Sequence, residues 1–193
     1  MNILHCDSLI SSSLKIVSIP TSYGNPEEGN EVEKETETYS QLSSLTSLIV
    51  ENIQGLKCPP SWFFQGLTGL QELSLSGCQE LTSLWNSESR RHDRLLALRR
   101  LVIKRCPLLI SLFKDEKEEE GGLELHEELP YTMMLEYLKI EDCKKLEKLP
   151  RGLHNLKFLQ ELIINTCPCL ISFPKTGFPP MLKTLRIDKC IAL

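Results

Sequence analysis

Apolar residues recur along this chain in a fixed phrase. Leu70-x-x-Leu73-x-Leu75-x-x-Cys78-x-x-Leu81-x-x-Leu84 is followed by Leu98-x-x-Leu101-x-Ile103-x-x-Cys106-x-x-Leu109-x-x-Leu112. Leu135, Leu138, Ile140, Cys143, Leu146 and Leu149 repeat it, as do Leu159, Leu162, Ile164, Cys167, Leu170 and Phe173. A last unit runs through Leu182, Leu185, Ile187, Cys190 and Leu193, and an early one through Leu45, Leu48, Val50, Ile53 and Leu56, with isoleucine in the cysteine position. Inside each unit the segment x-Leu-x-Leu/Ile-x alternates, which predicts a short strand with two apolar residues on one side and their neighbours on the other. One such strand cannot bury its apolar side alone. Units stacked in a parallel ladder can, each covering the next.

The units start near 45, 70, 98, 135, 159 and 182, in steps of 25, 28, 37, 24 and 23 residues. The shorter steps match the roughly 20 to 29 residues of leucine-rich repeats. The expected fold is therefore an α/β solenoid, a leucine-rich-repeat horseshoe over residues 1–193. Its short-stranded parallel sheet lines the concave face. Loops and short helical turns form the convex one, as Pro59-Pro60, Pro150-x-Gly152 and Pro179-Pro180 suggest. Ile3, Cys6 and Leu9 read as a partial unit over residues 1–10. Two acidic stretches, about 11–41 and 114–128, read as exposed insertions, and the second accounts for the 37-residue step.

Composition adds limits. The 35 leucines in 193 residues exclude a disordered chain, which would be poor in aliphatic residues. A net charge of −4 argues against nucleic acid as the main partner, because phosphate binding needs a concentrated basic surface. No apolar run reaches membrane-spanning length, no secretory leader stands at the start, and no Asn-x-Ser/Thr acceptor occurs. The expected setting is cytoplasmic or nucleocytoplasmic, with cysteines reduced.

Candidate chemistry is sparse. Cys78, Cys106, Cys143, Cys167 and Cys190 are too far apart in sequence for a zinc motif and are expected to be small buried residues at the turn after each strand. Cys58 and Cys169 are off register and expected to be exposed. His5, His92, His126 and His154 read as surface residues. No nucleophile elbow, His-Glu-x-x-His or dinucleotide loop is present, so neither an enzyme nor a cofactor or metal site is expected.

The phrases Leu-Gln-Glu-Leu-Ser-Leu-Ser-Gly-Cys (70–78), Leu-Glu-Lys-Leu-Pro-Arg-Gly-Leu-His-Asn-Leu-Lys-Phe-Leu-Gln-Glu-Leu (146–162) and Leu-Lys-Thr-Leu-Arg-Ile-Asp-Lys-Cys (182–190) resemble the repeat domain of plant intracellular nucleotide-binding leucine-rich-repeat disease-resistance proteins. That resemblance covers nearly the whole chain apart from the two insertions. It implies a module that recognises protein: a pathogen effector, or the receptor's own nucleotide-binding domain. The family's phosphate-cradling loop is missing, so ATP binding is not implied, and the chain reads as a C-terminal fragment or a truncated product. Substrate-recruiting repeats of ubiquitin-ligase adaptors share the cysteine but typically follow it with Thr/Ser-Asp. Here Gln-Glu-Leu follows Cys78 and Lys-Lys-Leu follows Cys143, which favours the resistance-protein reading.

If the leucines face the core, the flanking strand positions form the wet face of the sheet. Most are polar. Ile49, Val102 and Ile163 are apolar where solvation alone would prefer otherwise, and Tyr137 is a residue type favoured at interfaces. The expected partner-binding residues are Ile49, Glu72, Arg100, Val102, Lys104, Tyr137, Lys139, Glu161, Ile163 and Arg186. Arg99, Arg100, Lys104 and Arg105 are expected to give the third unit a basic patch.

Overall fold

Each alternating phrase forms a strand, because its two inward residues find cover only on the inner faces of the units before and after it. A computed structural model describes residues 14–15, 43–59, 64, 66–85, 95–112, 134–175 and 177–193. Its strands are β1 (Leu14–Lys15), β2 (Ser47–Glu51), β3 (Glu72–Ser76), β4 (Arg100–Lys104), β5 (Tyr137–Glu141), β6 (Glu161–Asn165) and β7 (Thr184–Asp188). They pair in chain order as one parallel sheet. The register is the one the leucines dictate: Leu48, Leu73, Leu101, Leu138, Leu162 and Leu185 form one row, and Val50, Leu75, Ile103, Ile140, Ile164 and Ile187 another.

Strand β1 corrects one expectation. Leu14 pairs with Leu48 and Lys15 with Ile49, so a strand stands inside the stretch 11–41 assigned above to an insertion. Leu14-x-Ile16-x-x-Ile19 repeats the spacing of Leu48-x-Val50-x-x-Ile53, but with no cysteine to flag the unit. The partial unit 1–10, the remainder of that stretch and the second insertion at 114–128 lie outside the described residues.

The leucine rows of β2 to β6 are essentially sealed from solvent. The cysteines and the leucines that follow them, such as Leu81 and Leu84 or Leu146 and Leu149, close the same core from the return side. That return is made of turns and short 3-10 pieces, the longest described being Arg151–Asn155, which follows Pro150 at the N-cap. A thin second ladder links the returns: the Ile110 amide donates to the Thr82 carbonyl (2.9 Å), Glu147 to Ile110 (3.0 Å) and Ile171 to Glu147 (3.1 Å).

A shared turn ends every strand from β2 on. Asn52, Gly77, Arg105, Asp142, Thr166 and Lys189 all have φ between 52° and 68°, in the left-handed region. The turn aims each of the first five amides across to the next strand, where it donates to the last carbonyl: Asn52 to Ser76 (2.8 Å), Gly77 to Lys104 (3.0 Å), Arg105 to Glu141 (2.9 Å), Asp142 to Asn165 and Thr166 to Asp188 (both 2.9 Å). From β3 on, the same carbonyl also accepts the thiol two residues later, as from Cys106 to Lys104 (3.3 Å) and Cys143 to Glu141 (3.5 Å). Cys78, Cys106, Cys143 and Cys167 are fully buried and free, and burial pushes the Cys143 thiol up to about 12 and that of Cys167 to about 11. Cys190 departs from its expected burial. It is half-buried, because no further unit stacks on its far side within the described chain. Cys169 is exposed, while Cys58 is half-buried rather than exposed. Its thiol donates to the Pro59 carbonyl at 3.6 Å. His154, half-buried, is the only one of the four histidines among the described residues.

Candidate partner-binding face

The strand positions that alternate with the leucines project from the side of the sheet opposite the core, where they stand in three columns. The first holds Ser47, Glu72, Arg100, Tyr137, Glu161 and Thr184; the second Ile49, Ser74, Val102, Lys139, Ile163 and Arg186; the third Glu51, Ser76, Lys104, Glu141, Asn165 and Asp188. From Ile49 on β2 to Arg186 on β7 the face spans five strand spacings, about 24 Å at the usual separation of paired strands. All ten expected contact residues belong to it, but they are not equivalent.

The centre lies across β4 and β5. The Arg100 guanidinium stacks over the Tyr137 ring at 3.7 Å from its centroid, an arrangement that holds both side chains in a defined pose. Beside them, Glu141 gathers the neighbouring cations: Lys139 at 2.9 Å and Lys104 at 3.7 Å, with the Asn165 side-chain amide donating at 3.4 Å. The hydrogen bond from Lys139, then its charge and that of Lys104, hold the Glu141 carboxyl below its ordinary value against the opposing effect of desolvation. Ile163 lies next to Lys139 in register and Glu161 next to Tyr137; both flank this cluster. Ile49 and Arg186 sit at the two ends of the face.

Two expectations change. Val102 is only 9% exposed, enclosed by its neighbours in the middle column, so it supports the face and offers almost no contact area. The basic patch is partly offset: Arg99 pairs with Glu136 and Lys104 with Glu141, while Arg100 stacks on Tyr137 and Arg105 donates to the neutral Ser76 hydroxyl at 3.0 Å. Glu136 was absent from the expected residues because it precedes its strand by one position. The alternation rule says nothing about which neighbour such a residue reaches. Among the described residues, no group of three His, Cys, Asp or Glu side chains could hold a metal ion, and no helix is long and apolar enough to cross a membrane.

Parallel strands in unbroken chain order, one per leucine phrase, with identical turns after six of them, decide the architecture. The fold is that of a leucine-rich-repeat solenoid. No protein-family profile matches the sequence. The chain is 31% identical over 126 residues to the disease resistance protein RPS4B of Arabidopsis thaliana, an alignment covering 62% of this chain and 10% of that protein. The leucine-rich-repeat domain therefore spans only a small part of the length of that relative. Among solved structures, the leucine-rich-repeat domain of the type III effector XopL aligns with a TM-score of 0.40 and 22% identity, covering 78% of this chain and 55% of that one.

Proposed function

We propose that this leucine-rich-repeat domain is a protein-recognition module of an intracellular plant immune receptor. In this reading the outward face of β4 to β6 contacts either a pathogen effector or the receptor's own nucleotide-binding domain. The observation that carries the proposal is the similarity to a plant disease resistance protein, which extends over 126 residues, 62% of this chain.

The chemistry of the face suits binding rather than catalysis. Its centre offers a stacked Arg–Tyr pair, and both residue types are enriched among those that dominate interface energies. Around it, Glu72, Glu161 and Arg186 are exposed charges that would set orientation and encounter rate more than affinity. Lys139 and Lys104 are already ordered on Glu141, so less side-chain entropy is lost when a partner docks.

The test is a triple variant, Arg100→Ala, Lys104→Ala and Tyr137→Ala, assayed against candidate effectors and the receptor's nucleotide-binding domain. Binding should weaken at least about a hundredfold if these residues form the hot spot, while circular dichroism and melting stay close to those of the parent. Unchanged affinity would move the contact surface elsewhere on the solenoid.

A further inference from the structure

The residue just before the first leucine of each phrase sits at the tip of a turn. The amides of Leu70, Leu98, Leu159 and Leu182 donate back three residues, to Leu67, Leu95, Leu156 and Pro179, at 3.1 to 3.2 Å. Each such turn anchors its ends at the core and lifts the two residues between them toward solvent. Phe158 and Met181 stand at the second raised position, and Met134 holds the same place before Leu135. They are 45%, 49% and 40% exposed. Met134 and Phe158 belong to units with another unit on either side, so the exposure is a property of the position.

The three tips lie in successive units. Two residues beyond them the Gln160 amide donates to Glu136 (2.9 Å) and the Lys183 amide to Gln160 (2.8 Å), so the row advances by about 4.8 Å per unit, as paired strands do. Apolar side chains at that spacing form one stripe along the rim where the strands begin, unlike singly scattered surface residues. Leu96, 44% exposed and one position earlier in the unit of β4, extends it. The stripe stops at Gly69, where a Cβ would come within 2.4 Å of the Ser43 carbonyl oxygen. By contrast, the exposed Ile110 and Ile171 of the return ladder are separated by Glu147. The border of the stripe is basic. Within two positions of the three tips along the described chain the only carboxylate is Glu136, which is paired with Arg99. Lys157 and Lys183 are exposed and have no acidic partner among the described residues; the Lys183 ammonium donates to the Gln160 side-chain oxygen at 3.0 Å.

We propose that the rim formed by Met134, Phe158 and Met181 docks an acidic amphipathic helix of another protein, lying along the stack. A helix brings one residue to the same side every turn, about 5.4 Å, close to the advance of the units, so its residues i, i+4 and i+7 each meet one tip. Over two unit spacings the mismatch is about 1 Å. A strand presents alternate residues about 6.6 Å apart and falls out of step by about 4 Å over the same distance. Methionine adapts its shape to an apolar partner, which suits two of the three tips. Lys157 lies on the return side of the stripe and Lys183 on the sheet side, so acidic residues on both flanks of the helix find a cation. The proposal is independent of what binds the outward face of the sheet.

The probe is a capped, lactam-bridged helical peptide with leucines at i, i+4 and i+7 and glutamates on both sides of them. It is added to the full chain and read by NMR of the methionine methyl groups. The Met134 and Met181 signals should shift saturably. Phe158→Asp, a change at an exposed tip that leaves the amide signals of the core strands in place, should weaken binding at least about tenfold. Lys157→Glu combined with Lys183→Glu should weaken it similarly, and a peptide with lysines in place of its glutamates should recover it. Unmoved methyl signals at millimolar peptide overturn the proposal, as do equal shifts with an unbridged, proline-containing peptide of the same leucines and glutamates. Shifts produced by phosphatidylserine vesicles but not by the peptide overturn it in favour of a membrane surface. Shifts that grow with protein concentration alone overturn it in favour of self-association.

Discussion

One residue per unit carries the geometry of the whole stack. The position after each strand adopts a left-handed backbone whether it is Asn52, Gly77, Arg105, Asp142, Thr166 or Lys189. Only asparagine, aspartate and glycine tolerate that region readily, and a β-branched residue there is strained. Five non-glycine residues nevertheless accept it. At Asn52, Arg105, Asp142 and Thr166 the turn aims an amide at the next strand's last carbonyl, and after the last three of these a buried thiol bonds back to the last carbonyl of its own strand. Thr166 is the worst fit at φ 54°. Thr166→Gly should therefore stabilise the domain by about 1 kcal/mol, since the relief of strain exceeds the extra chain entropy of glycine. Urea denaturation checks this, and a lower midpoint would show that the Thr166 hydroxyl bond to Asn165 outweighs the strain.

At the scale of the strand, position along the stack decides what a leucine contributes. Leu138 on β5 and Leu185 on β7 occupy the same row of the same phrase. Leu138 is 1% exposed and Leu185 41%. Truncating a buried leucine loses its transfer energy and leaves a cavity, at about 3 kcal/mol. Leu138→Ala should cost that much, and Leu185→Ala less than about 1 kcal/mol, because most of the removed surface was already wet. Equal losses in chemical denaturation would mean that β7 is covered in solution by something beyond the described residues.

For the molecule as a whole, contacts run only between neighbouring units, so opening should begin at an end and propagate. The cysteine column is a built-in reporter. Cys169 is exposed, Cys190 half-buried, and Cys167, Cys143, Cys106 and Cys78 fully buried in order away from the β7 end. The raised thiol values of Cys143 and Cys167 add a chemical block, since alkylation needs the thiolate. Iodoacetamide in native buffer should modify Cys169 first and Cys190 next. With rising urea, mass mapping should find Cys167 and then Cys143 opening before Cys106. Simultaneous modification of all four buried thiols would indicate a single all-or-none unit.

The periodicity alone determined which residues are inside. A Leu-x-x-Leu-x-Leu/Ile phrase repeated at near-constant spacing admits one way of hiding its apolar side, so the solenoid, strand order, register and core rows are legible from the chain. Local pattern could not decide the rest, which depends on contacts between units. Val102 reads like Ile163 in sequence, yet its neighbours on either side enclose it. Arg99 reads as part of a basic patch until the fold brings Glu136 beside it from 37 residues away. Cys190 and Leu185 match their counterparts in every letter of the phrase and differ only in having no unit stacked beyond them among the described residues. Identity of residue sets which face a side chain takes in a repeat; the units on either side set whether that face is buried, paired or open to a partner.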